Sequence, residues 1–167
     1  MEFSIVQSAP GSSRSGCVIV GVYESRKLSM PAAALDSASR GFITTVLKSG
    51  DMDGRKGTTL TLHGVPHIAS ERVLLVGLGA QKSFDEKAYR EAVATAMRAL
   101  KATCAAKAEC YLSVLDAGKS SITWRVAQAA ALAMESVYRF ETMKSKREDA
   151  PPALRSEEHT SELQSRG

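Results

Sequence analysis

Cysteine is scarce in this chain, and what there is does not pair. Cys17, Cys104 and Cys110 are odd in number, far apart, and outside any C-x-x-C pair. The pattern argues against a disulfide framework and against a cysteine-based zinc site. Cys17 and Cys110 fall in expected strands, where cysteine behaves as a small hydrophobe. Long apolar runs are missing too: none is long enough to cross a bilayer, so no membrane partner is expected. The start, Met1-Glu2-Phe3-Ser4-Ile5-Val6, lacks the basic-then-apolar pattern of a signal peptide, and a cytoplasmic location is the expectation. Signature motifs of chemistry are also wanting. There is no G-x-S-x-G around any serine and no Walker-type G-K-[ST].

What is present centres on Glu71-Arg-Val-Leu-Leu-Val-Gly-Leu-Gly79. Val73 to Val76 is a continuous apolar run, short and bounded by glycine, as in a strand buried on both faces of an α/β sheet. Gly77 and Gly79 then permit a tight turn. Ser83, with Glu86 three residues on, predicts the capping box of a helix. Gly77-Leu-Gly79 begins like the dinucleotide fingerprint G-x-G-x-x-G, but Lys82 stands at the third glycine. The plain reading, a strand-to-helix turn, is preferred.

Taken in order, Phe3 to Gln7 alternates as a half-buried strand, and Cys17 to Tyr23 reads as a buried one. Ser29 and Pro31 open a helix carrying Leu35, Ala38, Phe42, Val46 and Leu47, interrupted at Gly41 and stopped at Gly50. Asp51 to Gly57 is a turn cluster and Thr58 to Leu62 a strand. A helix is expected over about 84–103, a strand over Glu109–Leu115, and a helix from Ile122 to about Tyr138. The apolar stripe of that last helix, Ile122, Val126, Ala129, Ala130, Ala133 and Val137, predicts packing against a sheet. Five or six strands interleaved with three helices make an α/β sandwich with a largely parallel or mixed sheet.

From Lys144 the chain turns charged and proline-rich, as a linker does. Residues 155–167 hold one large apolar residue, Leu163, and are expected to be disordered. Net charge is +4; Arg155 and Arg166 against Glu157, Glu158 and Glu162 leave −1 in that tail, so the other 154 residues carry +5. Such a balance permits nucleic-acid contact without demanding it, since the basic residues are dispersed.

Three segments together resemble one family. They are Leu47-Lys-Ser-Gly-Asp-Met-Asp-Gly-Arg-Lys-Gly57, Leu62-His-Gly-Val-Pro66 and Arg72-Val-Leu-Leu-Val-Gly-Leu-Gly79. In this order they are similar to the N-terminal domain of bacterial leucyl aminopeptidase, the cytosol aminopeptidase family. The likeness extends weakly from Met1 to about Lys144. It implies a macro-like three-layer sandwich: a mixed, mostly parallel sheet of five or six strands with helices on both faces. It also implies the organisation, with residues 1–143 as the N-terminal domain, 144–154 as the start of an inter-domain linker, and 155–167 as a tail. The family's chemistry lies in a second, C-terminal domain, where two divalent metal ions (manganese or zinc) are held around an Asn-Thr-Asp-Ala-Glu-Gly-Arg signature. No such segment occurs here, so the resemblance carries no catalytic, cofactor-binding or metal-binding residue onto this chain. It does imply partners, namely that catalytic domain and a homo-hexamer. Residues 155–166 themselves resemble a translated sequencing adapter, which implies that they are not biological.

Local candidates have plain explanations. His63 and His67 have the spacing of a helical metal pair, but Gly64 and Pro66 lie between them. Asp51/Asp53 sit in a turn, Asp85/Glu86 at a helix start and Glu148/Asp149 in the linker, none beside a base or nucleophile. Trp124, Tyr138 and Phe140 read as core or domain-interface residues. Two other functions stay open. One is a DNA-binding accessory module using Arg14, Arg26, Lys27, Arg40, Arg55 and Lys56. The other is a macro-like module for an ADP-ribose-type ligand at Gly77–Gly79.

Overall fold

The computed structural model describes the backbone of residues 2–3, 9–103 and 105–147, and side chains over 9–103 and 105–136. Its centre follows from two runs of β-formers. Strand β2 (Cys17–Tyr23) is buried throughout, and so is β5 (Arg72–Gly79) after its first residue. They pair in parallel, Val18 against Val73 and Val20 against Leu75. Strand side chains alternate between faces, and here both faces are core. Cys17, Ile19, Leu74 and Val76 enter one cluster, while Val18, Val20, Val73 and Leu75 enter the other.

The sheet is completed by β1 (Glu2–Phe3), β6 (Lys107–Cys110) and β4 (Thr59–His63), in the order β1-β6-β2-β5-β4. All neighbours are parallel except β4, which runs antiparallel to β5 at one edge. A two-residue strand, β3 (Lys27–Leu28), pairs antiparallel with the end of β2. Helix α3 (Glu86–Lys101) covers one face with Tyr89, Val93 and Leu100, joined there by α4 (Ile122–Arg147). Helices α1 (Met30–Ala38) and α2 (Phe42–Lys48) cover the other with Leu35, Ile43 and Leu47. The result is the expected three-layer sandwich with a mixed, mostly parallel sheet.

Several local expectations need correction. The single helix expected around Gly41 is two. Arg40 and Gly41 both take left-handed backbone, φ 58° and 83°, which ends α1 and starts α2 at a corner. Gly41 has no side chain to cap α2, so Asp36 reaches across: its carboxylate accepts from the Thr44 amide (2.8 Å) and hydroxyl (2.7 Å). Ser83 does not cap α3. It lies in a short 3₁₀ turn, and Asp85 accepts the Ala88 amide instead at 2.9 Å. The strand expected over Glu109–Leu115 ends at Cys110. Tyr111 leaves extended geometry and Leu112–Val114 form a 3₁₀ turn that drops Leu112 into the core. The stripe predicted for the last helix is rotated from the face that packs. Ala133 is buried, but Ile122 and Ala130 are exposed, and Arg125 lies buried in their place. The helix also runs on to Arg147, past Lys144. Of the first expected strand, residues 4–7 lie outside those described, as do the side chains of Val137, Tyr138 and Phe140.

Candidate functional site

In open α/β sheets the carboxyl ends of the parallel strands form the usual ligand crevice. Here β2 and β5 end side by side, Tyr23 against Gly79, with a register shift after Val22. This is where a phosphate would meet the glycine turn. The place is already taken by the chain itself. The segment 53–58 lies across it, and its carbonyls use the amides that a ligand would need. Gly77 N–H donates to the Thr58 carbonyl (2.8 Å) and Gly79 N–H to the Gly54 carbonyl (2.9 Å).

Glycine is required at these crossings because backbone touches backbone. A Cβ on Gly77 would collide with the Arg55 carbonyl oxygen, and one on Gly54, where φ is 93°, with that of Tyr23. The stem of Lys56 lies over Gly79, its Cγ 2.7 Å from where a Cβ would stand. Asp53 and Arg55 form an ion pair at 2.8 Å. The backbone N–H of Arg55 and its guanidinium hold the Asp53 carboxyl below its usual range. The Arg26 amide donates to the Asp53 carbonyl at 3.2 Å, from a turn in which Ser25 and Arg26 both adopt positive φ. Arg26, Lys27, Arg55 and Lys56 are all exposed at this end. Tyr23, edge-on to Phe84 with ring centroids 5.8 Å apart, closes the floor; burial and the nearby Asp116 raise its phenol pKa.

The remaining candidates do not converge. His63 is exposed at the end of β4, and His67 is exposed in a loop at φ 63°. No helix joins them. Asp51 accepts from the Ser49 hydroxyl at 3.2 Å, and Asp85 caps α3. Glu86 lies against Gly118, where a Cβ would strike its carboxylate. Glu148 and Asp149 lie outside the described residues. Among the described residues no three of His, Cys, Asp and Glu come together as metal ligands do.

Two buried charged groups escaped sequence reasoning. Glu109, on β6, accepts the Ser13 hydroxyl at 2.6 Å. Arg125 donates from Nε to the Ser113 carbonyl (2.8 Å) and from Nη1 to the carbonyl and hydroxyl of Ser120 (2.8 and 3.0 Å), fastening the turn after β6 to α4. Each sits among apolar residues on a regular element, and nothing in its spacing marks it as buried. Tyr89 reaches this cluster through its hydroxyl, which bonds the Arg125 carbonyl; burial raises its pKa far above the ordinary phenol value.

Comparison with known proteins gives the geometry its context. The N-terminal domain of the cytosol aminopeptidase family matches residues 19–147. A probable cytosol aminopeptidase of Dechloromonas aromatica is 47% identical over 155 residues, which cover 93% of this chain and 31% of that protein. The chain thus spans about a third of the length of such relatives. Among solved structures, a mutant tomato leucine aminopeptidase superposes with a TM-score of 0.61 at 18% identity, over 81% of this chain and 28% of its own. The macrodomain of Mycobacterium tuberculosis DarG superposes at 0.60 with 6% identity, over 80% of this chain and 90% of its own, a likeness of fold alone. By sequence the chain belongs to the cytosol aminopeptidase family, of which it carries the N-terminal domain.

Proposed function

We propose that this chain is the non-catalytic N-terminal domain of a longer, cytoplasmic, metal-dependent leucyl-type aminopeptidase. The observation that carries the reading is the family match over residues 19–147 in a chain that spans 31% of its relative's length. Peptide hydrolysis then belongs to a C-terminal domain, where two divalent metal ions, manganese or zinc, activate the attacking water. This domain contributes to assembly of a homo-hexamer and to shaping access to the active site. The self-filled crevice supports a scaffolding role, since the amides of Gly77 and Gly79 are committed to the chain's own carbonyls. The test is release of leucine from a leucyl peptide with added Mn²⁺ or Zn²⁺. The purified chain alone releases none; the chain continued in frame by a relative's C-terminal portion does. Metal-dependent release by the chain alone overturns the reading.

A second reading, a DNA-binding accessory role, draws on the exposed Arg26, Lys27, Arg55 and Lys56 at the carboxyl end of the sheet. Binding of this kind weakens steeply with salt, because phosphate contacts release counterions. A gel-shift titration with duplex DNA at low salt decides it: no shift removes the role.

A further inference from the structure

Helix α4 is apolar on its outer side as well as its inner one. From Ile122 to Ser136 the inner side buries Arg125 and Ala133, and half-buries Ala129 and Leu132. The outer side carries Thr123, Ala127, Ala130, Ala131 and Met134, all exposed. A solvated helix face of this length ordinarily bears charges. Here the only exposed charged residue over those four turns is Glu135, at the flank. Met134, 46% exposed, is the large apolar group of this face. Ile122 (54%), in the first turn and about 120° round the helix from it, and Val114 (50%), in the turn bonded to Arg125 on the inner side, are exposed near the helix start. The fourth exposed large hydrophobe among the described residues, Met30 at 82%, lies on the opposite layer at the start of α1.

Position says what covers this face. The family match ends at residue 147, the last residue of α4, and the matched unit is by description an N-terminal domain. What remains of a family member therefore leaves directly from this helix. A second copy of the chain is the poorer occupant. At 1.5 Å rise per residue the face measures about 20 Å by 10 Å, or on the order of 200 Å² per partner. Stable association between separate chains buries about 800 Å² on each side.

We infer that the outer face of α4, formed by Ala127, Ala130, Ala131 and Met134, is the surface against which the chain following residue 147 packs in the longer aminopeptidase. The inference rests on the reading of this chain as that enzyme's N-terminal domain. The occupant is an uncharged, apolar face. Ala127, Ala130 and Ala131 are small enough to let its backbone come close, as in tightly packed helix pairs.

Methionine oxidation tests this, because Met30 supplies an internal standard. The 167-residue chain is compared with the same chain continued in frame after Arg147 by the residues that follow the N-terminal domain in the Dechloromonas aromatica relative. Both are treated with hydrogen peroxide, and each sulfoxide is followed by mass spectrometry. Oxidation of Met134 slows about tenfold or more in the longer protein, while Met30 keeps its rate. Equal oxidation of Met134 in both overturns the inference. So does protection of Met134 in the short chain that grows with concentration as the mass doubles, which would assign the face to a second copy. Ala130→Glu gives an independent reading. It leaves the melting temperature of the short chain unchanged and lowers that of the longer protein; equal shifts in both overturn the inference. Leucine release by the longer protein separates the two ideas. An active protein with Met134 still open sinks the packing surface alone, and an inactive one with Met134 protected sinks the peptidase reading alone.

Discussion

Gly77 and Gly41 do different things with the same missing side chain. Gly41 needs its left-handed backbone but faces open space, so Gly41→Ala costs only the strain of positive φ, about 1 kcal/mol. Gly77 has ordinary backbone but no room, since a Cβ there meets the Arg55 carbonyl. Gly77→Ala must push segment 53–58 off the strand end, breaking the bonds that hold it, at a cost on the order of 3 kcal/mol. Urea unfolding of both variants measures the difference, and equal losses would refute the close crossing. Cys17 offers a second residue-level prediction. Burial lifts its thiol from 9.0 to about 11, and Cys110 is likewise raised to about 11 by burial. A thiol with a folded pKa above its unfolded value holds its proton in the native state, so stability is lost as pH rises from about 9 through 11. Cys17, which is fully buried, accordingly resists iodoacetamide at pH 8 in the folded chain and reacts on unfolding, as site-resolved mass spectrometry will show. Rapid labelling of native Cys17 would contradict the burial.

At the scale of elements, the α1–α2 corner is held by one carboxylate. Asp36→Ala removes both bonds to Thr44 and leaves the first turn of α2 without its cap, for a loss of about 1–2 kcal/mol. Asp85→Ala costs about 1 kcal/mol by the same logic at α3. If Ser83→Ala were the costlier change in denaturant titrations, the assignment of the cap would be wrong. These caps also show what sequence could and could not yield. The runs Cys17–Tyr23 and Val73–Val76 were legible as buried strands because short, continuous apolar runs next to glycine leave few alternatives. The cap of α3 lies two residues beyond the expected one because Ser83 and Asp85 are equally good acceptors locally, and Ser83 is taken into the 3₁₀ turn that precedes the helix. Asp36 as a cap for α2 could not be read at all, for it acts across eight residues and a left-handed corner. Nor could the packing face of α4, where alanine supplies apolar surface in every direction and Arg125, the residue that turns inward, looks on paper like the solvent side.

Across the whole molecule, the two-sided core was foreseeable and the filling of the crevice was not. Segment 51–57 reads in sequence as a polar turn cluster, and only the fold brings the carbonyls of Gly54 and the following Thr58 onto the amides of Gly79 and Gly77. The two glycines, read in sequence as a strand-to-helix turn, make room for close contact with the loop segment 53–58 of the same chain. Titration with ADP-ribose in a calorimeter therefore gives a flat trace. Saturable heat would mean that segment 53–58 moves aside, and would favour the macro-like ligand module.

Helix α4 has one further consequence. Its 26 residues extend about 39 Å as a continuous rod whose first half is clamped to the sheet. Each residue advances such a rod by about 100° of rotation as well as 1.5 Å of length. Deleting a single residue beyond Ala133 would swing everything attached downstream to another side of the sandwich. Deleting seven would bring it back nearly to its original bearing, displaced only along the axis. The far end of α4 thus behaves as a key in a lock of fixed phase: its length can drift by whole pairs of turns, but not by one.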